Sequence, residues 1–538
     1  MKTAADPVEL ELFKNIFISI SEEMAAVLGR TALSPNIKER KDYSCSLFNE
    51  RGETLAQGSH IPVHLGAMPL SVQAAIGSLR FEPGDLVILN DPYRGGTHLP
   101  DITCVSPVFV GGRLAFFVAN RAHHADVGGM SPGSMPLATE LFQEGLIIPP
   151  LKLVARGRRN EAVFSLLLAN VRTPDERRGD LLAQVAANEV GRVRLLEVVR
   201  RHGLTKVRRY AALIQDYTER FLRQAIRTIP DGTYGFEDFM DDDGINDRPV
   251  RIAVDITIRD DRAVVDFGRS AAQTEGGINA NFAITTSAVM YVFRALVEED
   301  IPFNTGLMRP VRVVAPKGLV VNAEFPAACA AGNVETSQRI VDVLLGALAK
   351  AVPDKVPAAS QGTMNNVAFG GRDPGGGAAF AYYETIGGGM GAGRSAEGLS
   401  GVHTHMTNSL NTPLEALESY LPLRIRRYGL RRGSGGNGSR RGGEGIVREY
   451  EFLVPADLTI MSERRRFPPY GLRGGRPGAI GRNTLISRGR AKALSGKVSA
   501  RVGPGDILRV ETPGGGGYGR PHRSARGRPR SCPRRHGP

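Results

Sequence analysis

Segments with strand-like patterns follow one another as hairpins in this sequence instead of alternating with helices. Residues 42–57 alternate apolar and polar side chains on both sides of a turn at residues 49–52, which is typical of a β-hairpin. Residues 101–120 contain two further strands joined by Gly111 and Gly112, a two-residue loop suited to a primed turn. Because hairpins build antiparallel sheets, we predict an α+β fold with mixed and antiparallel sheets, packed helices and several intertwined subdomains.

Helical periodicity divides the chain further. Residues 8–30 carry apolar side chains at steps of three and four, which predicts an amphipathic helix, and residues 180–229 form a long helical region that Pro230 ends. From these changes of pattern we predict four parts, namely an N-terminal domain (1–229), a central α+β segment (230–325), a C-terminal glycine-rich α+β domain (326–519) and a basic, disordered tail (520–538).

Composition argues against several classes of protein. The formal net charge is +14, but seven arginines without an acidic residue in the tail supply half of it, so we expect no nucleic-acid partner. The sequence has no apolar run of about 20 residues and no signal-peptide pattern, so we expect a cytoplasmic protein without a membrane span. Its four scattered cysteines form no C-x-x-C pair and predict neither a disulfide framework nor a zinc finger.

Histidines and aspartates cluster in the first third of the chain. Five of the ten histidines fall within 65 residues and alternate with aspartates; the histidines are His60, His64, His98, His123 and His124. Imidazole and carboxylate are the usual ligands for zinc, manganese or iron, and a site with few protein ligands leaves positions open for water and substrate. The pattern therefore predicts a metal site in the domain 1–229.

The hairpin at residues 101–120 offers a geometric test of this prediction. If the two strands pair without interruption across the glycine turn, Asp101 faces Ala122 and can share one cation with a neighbouring histidine. Strict alternation then puts His124 on the face of Asp101, whereas a single bulge would put His123 there. Local reasoning leaves both histidines open.

Longer motifs along the chain resemble one family. They include GDLVILNDPYRGGTHLPD, NRAHHADVGGMSPGSMP, AAGNVETSQRIVD and ETPGGGGYG, and such segments run in order over residues 6–519. These motifs are similar to the hydantoinase B/oxoprolinase family. That family includes the B components of ATP-dependent hydantoinases and lactamases, the C-terminal half of fused 5-oxoprolinases and the metal-carrying subunit of acetone carboxylases.

The resemblance implies a metal-dependent hydrolytic subunit that opens cyclic amides such as hydantoins, 5-oxoproline or lactams. Family metal ligands match His98, Asp101 and His123, and the match to Asp42 is a further ligand in the lactamase branch. The divalent ion would be zinc, manganese or iron.

The resemblance also implies a partner. ATP would be bound by a separate hydantoinase A-type subunit that phosphorylates the amide oxygen, so a hetero-oligomer is expected. His124, Asp126 and His60 remain unranked candidates for a general base or for a residue that orients the ligands.

Other interpretations of the sequence are weaker or remain alternatives. GMSPG around Ser131 lacks the strand and helix of a nucleophile elbow, and the glycine motifs at 433–438 and 514–519 open no βαβ helix, so we predict tight turns there. No P-loop motif occurs. A carboxylase of the acetone type and a noncatalytic scaffold of an ATPase complex are the two alternative functions.

Overall fold

The computed structural model describes residues 6–58, 60–374, 376–377 and 379–521. Most of the predicted basic tail, residues 522–538 with Cys532, lies outside the described residues. Within the described part, helices and several antiparallel or mixed sheets pack together, which confirms the predicted α+β class. None of the described helices combines the length and the apolar character needed to span a membrane.

The helices of the described residues have the following bounds: α1 Pro7–Thr31, α2 Pro35–Lys38, α3 Ala67–Ser78, α4 Leu141–Glu144, α5 Glu161–Ala169, α6 Pro174–His202, α7 Leu204–Arg227, α8 Phe282–Ala295, α9 Ser337–Leu348 and α10 Leu414–Tyr420. The predicted helix at 8–30 is confirmed by α1. The predicted helical region at 180–229 consists of α6 and α7, which Gly203 separates.

Helix α1 shows how its sequence pattern becomes packing. The side chain of Asp6 caps the helix by accepting a hydrogen bond from the Val8 amide at 2.9 Å, and Pro7 occupies the first turn, where its missing N–H costs nothing. Phe13 and Phe17 are fully buried on the apolar side of the helix. That side packs on α6 and α7, which cover the first sheet.

The first sheet has seven strands, with the bounds β1 Tyr43–Asn49, β2 Thr54–Gln57, β3 Leu86–Leu89, β4 Asp101–Val110, β5 Arg113–His123, β6 Leu151–Ala155 and β7 Arg158–Arg159. The strand order is β2-β1-β5-β4-β3-β6-β7, and all neighbours are antiparallel. Both predicted hairpins are confirmed. Gly111 and Gly112 join β4 to β5 with φ values of 57° and 77°, as a primed turn requires.

Three further sheets follow in the chain. Their strands are β8 Gly232–Met240, β9 Val250–Arg259, β10 Arg262–Asp266, β11 Val311–Val314, β12 Asn366–Arg372, β13 Ala379–Glu384, β14 Leu423–Arg431, β15 Gly445–Phe452, β16 Ala456–Met461, β17 Arg482–Ser487, β18 Arg490–Leu494, β19 Lys497–Val502 and β20 Ile507–Glu511. The strand orders are β11-β10-β9-β8, β13-β12-β16-β19 and β14-β15-β20-β17-β18. Only β10 and β11 pair in parallel among these strands.

Helix α9 links the central and C-terminal parts of the chain. It lies beyond residue 325 but packs on β8 and β9 of the second sheet, and its fully buried residues share one hydrophobic core with that sheet. The predicted domain boundaries stay predictions.

The predicted tight turn at 514–519 is confined to its end: residues 514–517 are buried and form no turn, and Gly519 has a left-handed φ of 73°. The Gly515 amide donates a hydrogen bond to the Gly443 carbonyl at 2.9 Å. A Cβ on Gly515 would lie 2.0 Å from the carbonyl oxygen of Met390. Glycine is therefore needed here because neighbouring backbones approach closely, and not because of a left-handed φ.

Candidate metal centre

Three side chains meet at the open end of the β4–β5 hairpin. Asp101 is the first residue of β4 and pairs with His123, the last residue of β5. His98 precedes Asp101 by one turn, and the Asp101 amide donates to the His98 carbonyl at 3.1 Å. Oδ1 of Asp101 lies 3.2 Å from His98 Nε2 and 3.2 Å from His123 Nδ1. The structure thus brings together the three side chains that the sequence predicts as metal ligands.

A β-bulge decides which of the two adjacent histidines faces Asp101. The β4–β5 register shifts by one residue between Val108 and Phe109. Because of this shift, Asp101 pairs with His123 instead of Ala122. The bulge puts the His123 side chain on the face of Asp101, which local sequence reasoning could not decide.

The loop before His98 is fixed from two sides. Nδ2 of Asn281 donates to the Thr97 carbonyl at 2.9 Å. Gly95 has a φ of 86°, and a Cβ there would lie 2.4 Å from the Leu70 carbonyl carbon, so only glycine fits. The His98 side chain is therefore held by a loop that leans on α3 and α8.

The three side chains fit a divalent transition-metal ion. Both ring nitrogens of His98 and Nε2 of His123 are buried and have no hydrogen-bond partner among the described residues. Such orphaned buried nitrogens are costly unless a ligand satisfies them. Ligand atoms around a tetrahedral ion with bonds of about 2.1 Å lie about 3.4 Å apart, close to the 3.2 Å separations here. Two imidazoles and a carboxylate suit zinc, manganese or iron.

The ionisation states of these groups also suit metal binding. Burial raises the pKa of Asp101, but the nearby imidazoles of His98, His64 and His123 outweigh burial and hold that pKa well below its usual range. Burial lowers the pKa values of His64 and His123. The site therefore offers a carboxylate together with unprotonated imidazole, which are the forms that bind metal ions.

Two residues outside the predicted ligand set hold the second carboxylate oxygen. Oδ2 of Asp101 accepts a hydrogen bond from Thr97 Oγ1 at 2.5 Å and lies 3.2 Å from His64 Nε2. Nδ1 of His64 lies 2.9 Å from Ser44 Oγ. Bonds of this kind orient a metal ligand. His64 belongs to the histidine cluster in the sequence, whereas no sequence signal points to Thr97.

Asp42 stands beside His123, close to the three clustered side chains. The His123 amide donates to the Asp42 carbonyl at 3.0 Å. The Asp42 carboxylate lies 3.7 Å from the Arg40 guanidinium and lines a small cavity of about 20 Å³ together with Asp101 and His123. The three ligand atoms that lie within 4.8 Å of one another belong to the other residues, so a ligand role for Asp42 stays a prediction.

His124 and Asp126 line a different cavity, on the side of the hairpin that packs on α6. Nε2 of His124 lies 2.9 Å from Gln184 Oε1, and burial lowers the pKa of His124 to about 4. The Asp126 carboxylate accepts a hydrogen bond from the Arg172 guanidinium at 2.9 Å. These contacts hold both side chains away from Asp101, and a role for them in proton transfer stays a prediction.

His60, the third candidate base, lies beside α1. Its Nδ1 accepts a hydrogen bond from the Cys45 amide at 3.3 Å, and its Nε2 lies 3.5 Å from the Glu22 carboxylate. Its ring is 5.7 Å from that of Tyr43. The structure therefore gives His60 partners other than the three clustered side chains.

A tyrosine from the C-terminal part of the chain completes the site. Tyr383 in β13 stacks on His123, with ring centroids 4.5 Å apart and planes inclined by 18°. The Arg40 guanidinium lies 5.1 Å from the Tyr383 ring centroid and donates to the Tyr383 carbonyl at 2.9 Å. Sequence reasoning missed Tyr383 because nothing local connects it with a histidine so distant in the chain.

Comparisons with known proteins show which sequences this chain is similar to. A sequence model described as hydantoinase B/oxoprolinase matches residues 6–521. The 5-oxoprolinase 1 of Arabidopsis thaliana is 41% identical in an alignment of 550 positions that covers 96% of this chain but 42% of that protein. A protein of Pseudomonas sp. (strain NS671) that is named as the B component of a D-/L-hydantoinase is 31% identical in an alignment of 538 positions that covers 96% of this chain and 90% of that protein.

Two solved structures have a similar fold. The crystal structure of ATP-dependent caprolactamase from Pseudomonas jessenii superposes with a TM-score of 0.90 at 30% identity and covers 97% of this chain and 93% of that one. The nucleotide-free structure of an acetone carboxylase superposes with a TM-score of 0.89 at 20% identity and covers 96% of this chain and 76% of that one. At that identity, the second likeness shows the fold alone.

Proposed function

The chain belongs to the hydantoinase B/oxoprolinase family, and we propose that it is the metal-dependent hydrolytic part of an ATP-dependent enzyme that opens cyclic amides. The observation that carries the proposal is the buried group of His98, Asp101 and His123, in which one nitrogen of each imidazole lies 3.2 Å from the same carboxylate oxygen. The substrate class comes from relatives named for the hydrolysis of 5-oxoproline, hydantoins and caprolactam.

Each side chain has a defined task in this proposal. His98, Asp101 and His123 would hold the ion, and His64 and Thr97 fix the second Asp101 oxygen so that the first points at the ion. The ion would supply Lewis-acid polarisation of the substrate oxygen and would make water more acidic. Interactions with His98, His64 and His123 hold the pKa of Asp101 well below its usual range, so its carboxylate is ionised.

Asp42 is the acidic side chain best placed to meet a substrate. Its carboxylate is 13% exposed, whereas that of Asp101 is 2% exposed, so Asp42 stands at the mouth of the cavity. The Arg40 guanidinium at 3.7 Å keeps it oriented. We assign Asp42 either to the ion as a fourth ligand or to the water as a proton acceptor. His124 and Asp126 line a different cavity, on the other side of the hairpin, so we propose Asp42 ahead of them as the proton acceptor.

ATP would act on another polypeptide or another domain. The sequence contains no P-loop, and this chain corresponds to 42% of the length of 5-oxoprolinase 1. A relative of matching length is named as one component of a hydantoinase. Amide hydrolysis is slow, so prior phosphorylation of the amide oxygen by an ATP-binding partner would provide an activated substrate for this chain.

The test is ATP-dependent turnover of the full chain co-purified with its ATP-binding partner. We expect ring opening of 5-oxoproline, a hydantoin or a simple lactam, and about one bound divalent ion per chain. His98→Ala should lose both the ion and the turnover. His202→Ala is the matched control, because His202 lies on α6 with its ring 5.1 Å from that of Phe13 and should leave both unchanged.

The alternative functions give different results in the same experiment. Equal and negligible metal content in the wild type and in His98→Ala would contradict the catalytic proposal and favour a noncatalytic scaffold. Turnover that requires bicarbonate, or a third small subunit in the complex, would favour a carboxylase of the acetone type.

A further inference from the structure

A hydrogen-bonded chain leads from the candidate metal centre to a distant buried acid. The Tyr383 hydroxyl, whose ring stacks on His123, donates to Asn366 Oδ1 at 2.7 Å. Nδ2 of Asn366 donates in turn to Glu335 Oε1 at 2.6 Å. Tyr383, Asn366 and Glu335 are each at most 2% exposed.

The Asn366 amide has only one orientation that satisfies its partners. Its Nδ2 also donates to the Met461 carbonyl at 2.8 Å, so both amide protons are used on one side. The amide oxygen must therefore face Tyr383 and accept its hydroxyl proton. Glu335 contributes to this choice because its Oε1 accepts one of the two amide protons.

Glu335 is placed unusually for a structural residue. It lies in a π-helical turn at Gly332–Thr336, a rare conformation that is frequent at functional sites. Its Oε1 also accepts from the Met364 amide at 3.0 Å, while its buried Oε2 has no partner among the described residues. Burial raises the pKa of Glu335 to about 8, so the side chain is a neutral acid at pH 7. A buried acid with an unsatisfied oxygen costs stability, which points to a role outside packing.

We propose that Glu335, acting through Asn366 and Tyr383, is a positioning residue that holds the His123 imidazole in the orientation needed for metal binding. This inference rests on the metal centre of the proposed function. The Tyr383 ring fixes the plane of the imidazole, and the hydrogen-bonded chain fixes the Tyr383 ring. A histidine free to rotate would lose part of its binding energy to the ordering of its side chain.

The test is Zn²⁺ affinity of the full chain, measured by competition with a coloured chelator. Glu335→Ala and Tyr383→Phe should each raise the Zn²⁺ dissociation constant about tenfold, as is typical when a residue that supports a metal ligand is removed. The double variant should bind Zn²⁺ no more weakly than either single variant, because both changes interrupt the same series of hydrogen bonds. Glu335→Gln should bind Zn²⁺ like the wild type, because glutamine resembles the neutral acid.

Tyr382→Phe is the matched control. Tyr382 precedes Tyr383 in β13, so its side chain points to the opposite face of the strand. It is equally buried, and its hydroxyl donates to Thr412 Oγ1 at 2.8 Å. This variant therefore loses one buried hydroxyl without touching His123, and its Zn²⁺ affinity should be unchanged.

Three results would overturn the inference. Zn²⁺ affinity within twofold of the wild type in both Glu335→Ala and Tyr383→Phe would show that the hydrogen bonds from Glu335 to Tyr383 do not position His123. An equal loss in Tyr382→Phe would show a general effect of packing. A wild type that binds no Zn²⁺ would overturn the metal centre and this inference together, and is recognised before any variant is compared. If Glu335→Ala does not fold, Tyr383→Phe alone decides.

Discussion

Replacement of Thr97 by valine should weaken metal binding without disturbing the fold. Valine keeps the shape of threonine but removes the hydroxyl that donates to Asp101 Oδ2 at 2.5 Å. Removing a group that supports a metal ligand typically lowers metal affinity by roughly tenfold to a hundredfold, which corresponds to about 1.4–2.8 kcal/mol. Because Asp101 keeps its contact with His64 at 3.2 Å, we expect the lower end, about tenfold.

The assay is Zn²⁺ titration of the full chain against a competing chelator, together with thermal unfolding of the metal-free protein. The loop should keep its place in the variant because Asn281 still donates to the Thr97 carbonyl. Thr512→Val is the matched control: its buried hydroxyl donates to the Gly387 carbonyl at 2.9 Å, and both residues lie in the C-terminal part of the chain. Zn²⁺ affinity within twofold of the wild type in Thr97→Val, or an equal loss in Thr512→Val, would refute the reasoning.

Three further predictions follow from the same geometry. Burial holds the pKa of His123 below its usual 6.5, so this ligand stays unprotonated as the pH falls to 6.5. In a pH titration, Zn²⁺ should therefore be released with a midpoint below pH 6.5. A midpoint above that value would contradict the assignment of His123 as a ligand. A chelator should lower the unfolding temperature of the wild type but not that of His98→Ala, because the ion binds only the folded state; an equal shift in both proteins would mean that the ion binds elsewhere. Gly515→Ala should lower the free energy of unfolding by at least about 1–3 kcal/mol, since its Cβ would lie 2.0 Å from a carbonyl oxygen. Gly429→Ala should be nearly neutral, because no atom lies within 4 Å of the Cβ position. Similar denaturation midpoints for the two variants would disprove the close approach at Gly515.

Local patterns in the sequence were sufficient for the elements around the site. The apolar periodicity of residues 8–30 predicted α1, and the paired glycines at 111 and 112 predicted the β4–β5 turn. These features depend on neighbouring residues only, so the sequence carries them directly. The hairpin also placed Asp101 near one of two adjacent histidines, whereas the choice of His123 and the addition of His98 came from the family resemblance.

The residues that complete the site could not be found in this way. Tyr383 reaches His123 from another sheet, and Asn366 and Glu335 reach Tyr383 from two more segments. Such contacts depend on how sheets pack against each other, which no local spacing encodes. Gly515 was misinterpreted for another reason. A glycine in a sequence can indicate either a turn or a close approach of two backbones, and at Gly515 the missing Cβ serves the close approach.

The consecutive histidines show how one residue of register separates chemistry from packing. His123 faces Asp101, while His124 contacts Gln184 on α6. Neighbouring residues of a strand point to opposite faces, so a register one residue different would exchange the two histidines. Ala115 is the residue that the β4–β5 register passes over, and this extra residue sets the phase of the strand up to its far end. The identity of the candidate ligand is therefore determined by a bulge beside the hairpin turn, at the opposite end of the strands from the ligand itself.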